Sequence, residues 1–266
     1  MDLELKGKIA LVTGGGRGIG KAIARKLALE GVDIVIAART RGQLESTAEE
    51  LSIETGRNVL PIPADTGNGD DVRRLVAQAA AEFDRVDILV NCAAQPAGGR
   101  PGPRLNEITE ADFWADMNVK VMGYLRCARE VAPHMRRQGW GRIINISGLA
   151  ARRSASTIGS MRNVSVVAMT KNLADELGPD GINVTVVHPG YTRTERTPGM
   201  LADRARANGI SIEEAEKQMA QDNSVRRMID AREIAYVVAF LSSPKSIAIN
   251  GDVIAAGGGV DRAIYY

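Results

Sequence analysis

The chain has 266 residues, enough for one large α/β domain with a sizeable core, and no low-complexity tract divides it. Lys and Arg (34) nearly balance Asp and Glu (32), and the formal charge of +2 excludes the overall basic footprint of a nucleic-acid binder. No apolar run is long enough to cross a bilayer, and no leader pattern opens the chain. Two cysteines, Cys92 and Cys127, make neither a metal spacing nor a disulfide framework. A cytoplasmic protein without a metal site is expected, its two thiols buried and inert.

The apolar run Ile9 to Val12 reads as a strand, and Thr13-Gly14-Gly15-Gly16-Arg17-Gly18-Ile19-Gly20 follows it as a glycine turn that feeds a helix from Lys21. A strand, turn and helix in that order present unpaired backbone N–H groups and a positive helix end, a seat for phosphate. Gly14 and Gly16 suit the tight turn, Gly18 admits a pyrophosphate, and Gly20 lets the helix pack on the sheet. Next come a buried strand Asp33 to Ala38, a helix Arg41 to Glu54, a strand Val59 to Ala64, a helix Asp70 to Phe83 and a strand Ile88 to Val90. This alternation predicts a single-domain Rossmann fold, a doubly wound parallel sheet flanked by helices, spanning 1–266.

The second half continues the pattern. Gln95 to Arg104 is an irregular loop, helices start at Thr109 and run from Met117 to Arg137, and Arg142 to Ser147 is the next strand. A helix from about Met161 to Leu177, with Ser156 or Thr157 as a possible N-cap nearby, precedes a strand Asn183 to Val187 and the turn His188-Pro189-Gly190. The polar, partly helical stretch of about 192–225 reads as a lid or exposed subdomain. A helix Asp230 to Leu241 and a strand Val253 to Ala256 close the pattern.

Five markers in order resemble the short-chain dehydrogenase/reductase family over nearly the whole chain. Thr13 to Gly20 fits its TGxxxGxG turn, including Ile19. Asp65, with Thr66 after it, follows the third strand where the family contacts adenine. Asn91-Cys92-Ala93-Ala94 is similar to NNAG, Asn118 matches the family's catalytic and structural asparagine, and Pro189-Gly190-Tyr191-Thr192-Arg193-Thr194 fits PGxxxT beside the nicotinamide. The resemblance therefore implies dinucleotide contacts from Thr13, Gly14, Gly16, Arg17, Gly18, Ile19, Gly20, Arg39, Asp65, Thr66, Asn91, Ala93, Pro189, Gly190 and Thr194. The second strand ends Ala37-Ala38-Arg39, without the acid that holds an unphosphorylated ribose, whereas Arg39 and Arg17 suit a 2′-phosphate. NADP(H) is expected over NAD(H).

The resemblance breaks at the proton relay. The family uses a serine, a tyrosine and a lysine one helical turn later, and alignment on Thr170-Lys171-Asn172-Leu173-Ala174 puts Gly159 at the tyrosine and Asn163 at the lysine. No Tyr or Lys lies between Ile146 and Ala168. Asn118 and Ser147 remain from the catalytic set, with either Ser147 or Gly148 at the serine position. Tyr191 is the best-equipped substitute donor, although the family uses that position to pack over the cofactor. Ser156 and Ser160 lack a neighbouring base, His188 reads as structural, and Arg152 and Arg153 either hold an anionic substrate group or form a solvated pair.

The expected function is an NADP(H)-dependent oxidoreductase acting on a small carbonyl or activated alkene through a non-standard proton donor. The alternative is a dinucleotide-binding sensor or partner subunit without turnover. The resemblance also implies a homo-oligomer, tetramer or dimer, built through the helices near Met117 and Met161 and the last strand.

Overall fold

The computed structural model describes residues 1–94, 103–154 and 156–260. Its first half is built of β1 (Ile9–Thr13), α1 (Gly18–Leu29), β2 (Asp33–Ala38), α2 (Arg41–Thr55), β3 (Val59–Pro63), α3 (Gly69–Phe83) and β4 (Ile88–Asn91). The second half comprises α4 (Glu110–Met117), α5 (Gly123–Gln138), β5 (Gly141–Ile146), α6 (Thr157–Leu177), β6 (Ile182–Pro189), β7 (Thr192–Arg193), α7 (Thr197–Asn208), α8 (Ile212–Ala220), β8 (Ile229–Asp230), α9 (Ala231–Leu241) and β9 (Val253–Ala256). The expected loop at Gln95 to Arg104 lies outside the described residues except for Pro103 and Arg104.

A parallel sheet in the order β3-β2-β1-β4-β5-β6-β9 forms the frame. The chain winds outward from β1 to β3 and then returns to place β4 on the other side of β1. Thr13 is in register with both Ala37 of β2 and Asn91 of β4, so three strand ends open together at this reversal. Open α/β sheets hold their ligands at such a point.

Alternation along the strands divides the core. Val12, Ile34, Ile36 and Val90 face Ile23, Leu27, Leu44 and Val238 in one layer. Leu11, Val35, Leu89 and Ile143 face Val72, Leu75, Val131 and Leu177 in the other. Burying such side chains stabilises by roughly 1.5–3 kcal/mol each, which keeps both faces covered and the strand register fixed.

Two departures from the sequence pattern bear on the site. The helix expected to run unbroken from Met117 is interrupted by a π turn at Asn118–Met122, in which the Gly123 N–H reaches back to the Asn118 carbonyl. Gly123 sits so close to Thr66 that a Cβ there would lie 3.0 Å from the Thr66 hydroxyl oxygen, and Arg126 Nη1 donates to the carbonyls of Thr66 and Asn118, both at 3.2 Å. Helix α6 starts at Thr157, earlier than Met161, because the Ser156 hydroxyl accepts the Gly159 N–H at 3.2 Å and caps it.

The stretch of about 192–225 folds as α7 and α8 against each other around Leu201, Ala205, Ala215 and Met219. Beside it, β7 and β8 pair in parallel. No helix among the described residues is long and apolar enough to cross a membrane.

Candidate active site

The glycine turn packs where backbone meets backbone. Gly14 has φ +68°, and a Cβ on it would lie 3.0 Å from the Ala93 nitrogen and the Cys92 carbonyl. On Gly20 a Cβ would fall 2.2 Å from the Gly14 oxygen, so only glycine lets α1 start this close to the strand end. Gly15 has the same demand, at 2.7 Å from Ile36 Cγ2, whereas Gly16 would meet nothing nearer than 3.4 Å. Tight turning therefore rests on Gly14 and Gly15, and the expectation for Gly16 finds no steric counterpart. Gly18 (φ +57°) opens α1, and its N–H donates to Glu195 Oε2 at 3.2 Å. A carboxylate thus already sits where the helix end attracts anions. The cradle and this stand-in anion both fit a dinucleotide pyrophosphate.

Around the cradle, Thr13 is buried and its hydroxyl accepts the N–H groups of Cys92 (3.1 Å) and Ala93 (3.3 Å), tying β1 to the end of β4. Asn91 is also buried and donates to Asn145 Oδ1 at 2.9 Å, and Asn145 in turn donates to the Thr170 hydroxyl at 2.9 Å. Asp65 accepts the Gly67 N–H at 2.8 Å. Asn118 donates to the Gly67 carbonyl at 3.1 Å, which turns its amide toward the segment before α3. Thr66 is buried beneath the π turn, Pro189 ends β6 with Gly190 packed against Gly257, and the Thr194 N–H donates to the Thr197 hydroxyl at 2.9 Å. Ile19 packs against the core from α1. Arg17 and Arg39 are exposed, and their side chains make no hydrogen bond or ion pair among the described residues.

A buried polar cluster lies below the ends of β5 and β6. Ser147 Oγ donates to Asn163, 3.2 Å from both its carbonyl oxygen and Oδ1. Lys120 enters from the π turn: its ammonium donates to the Ser147 carbonyl at 2.9 Å and to Asn163 Oδ1 at 3.0 Å. Behind Asn163, Arg162 pairs with Asp116 of α4 at 2.5 Å. Burial, followed by the nearby Arg162 charge, pushes the Lys120 ammonium down to about 7.

Other groups are committed or remote. Tyr124 is fully buried, with its hydroxyl donated to the Ile146 carbonyl at 2.9 Å and burial raising its proton affinity. His188 is buried, its Nδ1 accepts the Gly148 N–H at 3.2 Å, and burial lowers it to about 4. Tyr191 is 40% exposed, and Gly159 serves the α6 cap through its N–H. Arg153 lies 3.8 Å from Asp222, Ser160 donates to the Arg153 carbonyl, and His134 is on α5. Burial raises Cys92 to about 11 and Cys127 to about 12, which suits inert thiols.

The sequence reading did not single out Lys120. Residues two apart on a helix face away from each other, so matching Asn118 to the family drew attention from the opposite face. The available signal was a lysine inside the apolar stretch Val119 to Met122.

The family model described as Enoyl-(Acyl carrier protein) reductase matches residues 14–261. The chain belongs to the short-chain dehydrogenase/reductase family. It is 34% identical to the short-chain reductase protein NovJ of Streptomyces niveus over 252 residues, covering 94% of this chain and 93% of the relative. Among solved structures, L-sorbose reductase from Gluconobacter frateurii, complexed with NADPH and L-sorbose, superposes with a TM-score of 0.92 at 27% identity, covering 99% and 100% of the two chains. NAD+-bound xylitol dehydrogenase superposes at 0.86 with 26% identity, covering 96% of this chain and 100% of its own. A nicotinamide cofactor suits this short-chain dehydrogenase/reductase fold, since related structures hold either dinucleotide at a like frame.

Proposed function

We propose that the chain is an NADP(H)-dependent reductase of a small carbonyl or activated alkene that takes its proton from a group other than the family's tyrosine and lysine. The observation that carries the reading is the backbone cradle of Gly14, Gly18 and Gly20 with an anion already at the α1 end. When bound, the cofactor supplies a hydride. The glycine turn seats the pyrophosphate, and the ends of β4 and β6 flank the remainder of the dinucleotide.

The NADP(H) preference rests on the end of β2. No carboxylate stands at Ala37-Ala38-Arg39, and Arg39 and Arg17 are exposed beside the turn with no side-chain partner among the described residues. Charge-assisted bonds to a 2′-phosphate contribute roughly 1.5–3 kcal/mol each.

Gly159 and Asn163 take the family's tyrosine and lysine positions in this reading. Gly159 has no side chain to titrate, and Asn163 Oδ1 can only accept. The buried Ser147–Asn163 pair keeps a polar floor without a tyrosine, and Asn118 holds the π turn against Gly67. Tyr191 stays available by exposure, and Tyr191→Phe with an unchanged rate would remove it. Apolar side chains exposed on α4, the π turn and α6, namely Trp114, Met122, Met161 and Val164, favour a homo-oligomer through these helices, to be checked by light scattering.

Fluorescence titration with NADPH and NADH, followed by NADPH oxidation against ketones, quinones and enoyl thioesters, tests the reading. Tighter NADPH binding with turnover of one class is expected. Binding without turnover across the panel favours a dinucleotide-binding sensor or partner subunit.

A further inference from the structure

Lys120 is 4% exposed, and no carboxylate among the described residues is hydrogen-bonded to its ammonium. An ammonium has three N–H bonds, of which the Ser147 carbonyl and Asn163 Oδ1 take two. The third has no acceptor among the described residues. Burying such a cation costs more than burying a methionine of similar length, so stability does not account for it. Perturbed ionisable groups of this kind collect at sites of chemistry.

The surroundings set its charge. Burial is the largest influence and, with the Arg162 guanidinium on α6, lowers its proton affinity, whereas Cys92 after β4 and Asp116 on α4 raise it. From β6, His188 lies within electrostatic reach of Lys120, itself lowered by burial, Arg152 and Lys120, and its Nε2 is buried without a partner among the described residues. Tyr124 stands below with its hydroxyl spent on Ile146. The balance of these influences lowers the Lys120 ammonium to about 7.

We propose that Lys120 is the proton donor of this site, delivering the proton of its third N–H bond to the substrate oxygen. The inference rests on the reading of the chain as a reductase. In the balanced step the carbonyl carbon gains a hydride, with a reduced nicotinamide dinucleotide as reductant, and the π pair of the C=O bond moves to oxygen. The Lys120 N–H bond breaks as the O–H bond forms, leaving a neutral amine that water reprotonates. Ser147 and Asn163 aim the ammonium, and the lysine reaches Asn163 from the π turn instead of from α6.

Two measurements test this. The first needs no activity: NMR of the protein carrying 13C-labelled lysine side chains is expected to show a resonance that titrates near neutral pH and is missing from Lys120→Met. A Lys120 resonance titrating with the surface lysines overturns the proposal. The second is single-turnover reduction with saturating NADPH on the best substrate of the panel. Lys120→Met is expected to lose on the order of 10²-fold or more in rate, with NADPH affinity kept within about threefold. Lys120→Arg, which keeps the charge but cannot release the proton, is expected to lose the break in the pH profile near neutrality. A Lys120→Met protein with the wild-type rate and pH profile overturns the donor while leaving the reductase reading intact. A wild-type protein that binds NADPH and reduces nothing in the panel overturns both.

Discussion

The Glu195 carboxylate accepts the Gly18 N–H at 3.2 Å, so a residue from the segment between β7 and α7 occupies the positive end of α1. A pyrophosphate seated there would compete with the carboxylate, since each is stabilised by the same N–H groups and helix dipole.

Removing the carboxylate charge is therefore expected to tighten dinucleotide binding. A helix end favours an anion by roughly 0.3–1 kcal/mol, so Glu195→Gln is expected to lower the NADPH dissociation constant by about two- to fivefold. Fluorescence titration measures it, and weaker binding by the variant would show that Glu195 helps to hold the cofactor.

On the proposed reading, Arg17 and Arg39 set the cofactor preference. Replacing either with Ala is expected to weaken NADPH binding about tenfold or more and leave NADH binding nearly unchanged. Equal losses for the two cofactors would place these arginines elsewhere than on the 2′-phosphate.

Two glycines of one turn separate steric need from sequence pattern. Gly20→Ala drives a methyl to 2.2 Å from the Gly14 oxygen and is expected to cost roughly 1–3 kcal/mol and most of the NADPH affinity. Gly16→Ala meets nothing nearer than 3.4 Å and is expected to melt close to the wild type. Calorimetry of both variants distinguishes them, and an equal drop in melting temperature would contradict the geometry.

The pair of Arg162 and Asp116 is largely buried. Asp116→Ala leaves the guanidinium inside without its counter-charge, a change that typically destabilises by about 3–5 kcal/mol. Denaturant unfolding reads this out, and a loss below about 1 kcal/mol would mean that water reaches the cation.

His188 links stability to pH. Burial lowers it from 6.5 to about 4, so between those values the unfolded chain binds the extra proton and the folded chain does not. The His188 contribution is therefore full above about 6.5 and is lost as pH drops toward 4, on the order of 2–3 kcal/mol. Lys120, lowered to about 7, has the same sign at higher pH: its burial penalty is relieved as pH rises above 7. Urea melts at pH 7 and pH 5 are expected to differ less for His188→Gln than for the wild type, and an unchanged difference would remove His188 as the cause.

Residues near in sequence settled the frame of this protein. Strand-length apolar runs alternating with amphipathic segments predicted the parallel sheet, because a buried strand and a helix each print their own period on the chain. The glycine turn was legible for the same reason: Thr13 to Gly20 is one local piece of backbone. The absence of Tyr and Lys between Ile146 and Ala168 was equally plain. Tertiary structure alone decided what stands beside Asn163. A π turn, fixed where Gly123 packs on Thr66, accompanies the crossing that brings Lys120 to an asparagine 43 residues away, and a loop 177 residues from Gly18 supplies Glu195 to α1. Helix rotation and packing set where such long side chains end, and no local pattern along the chain encodes that.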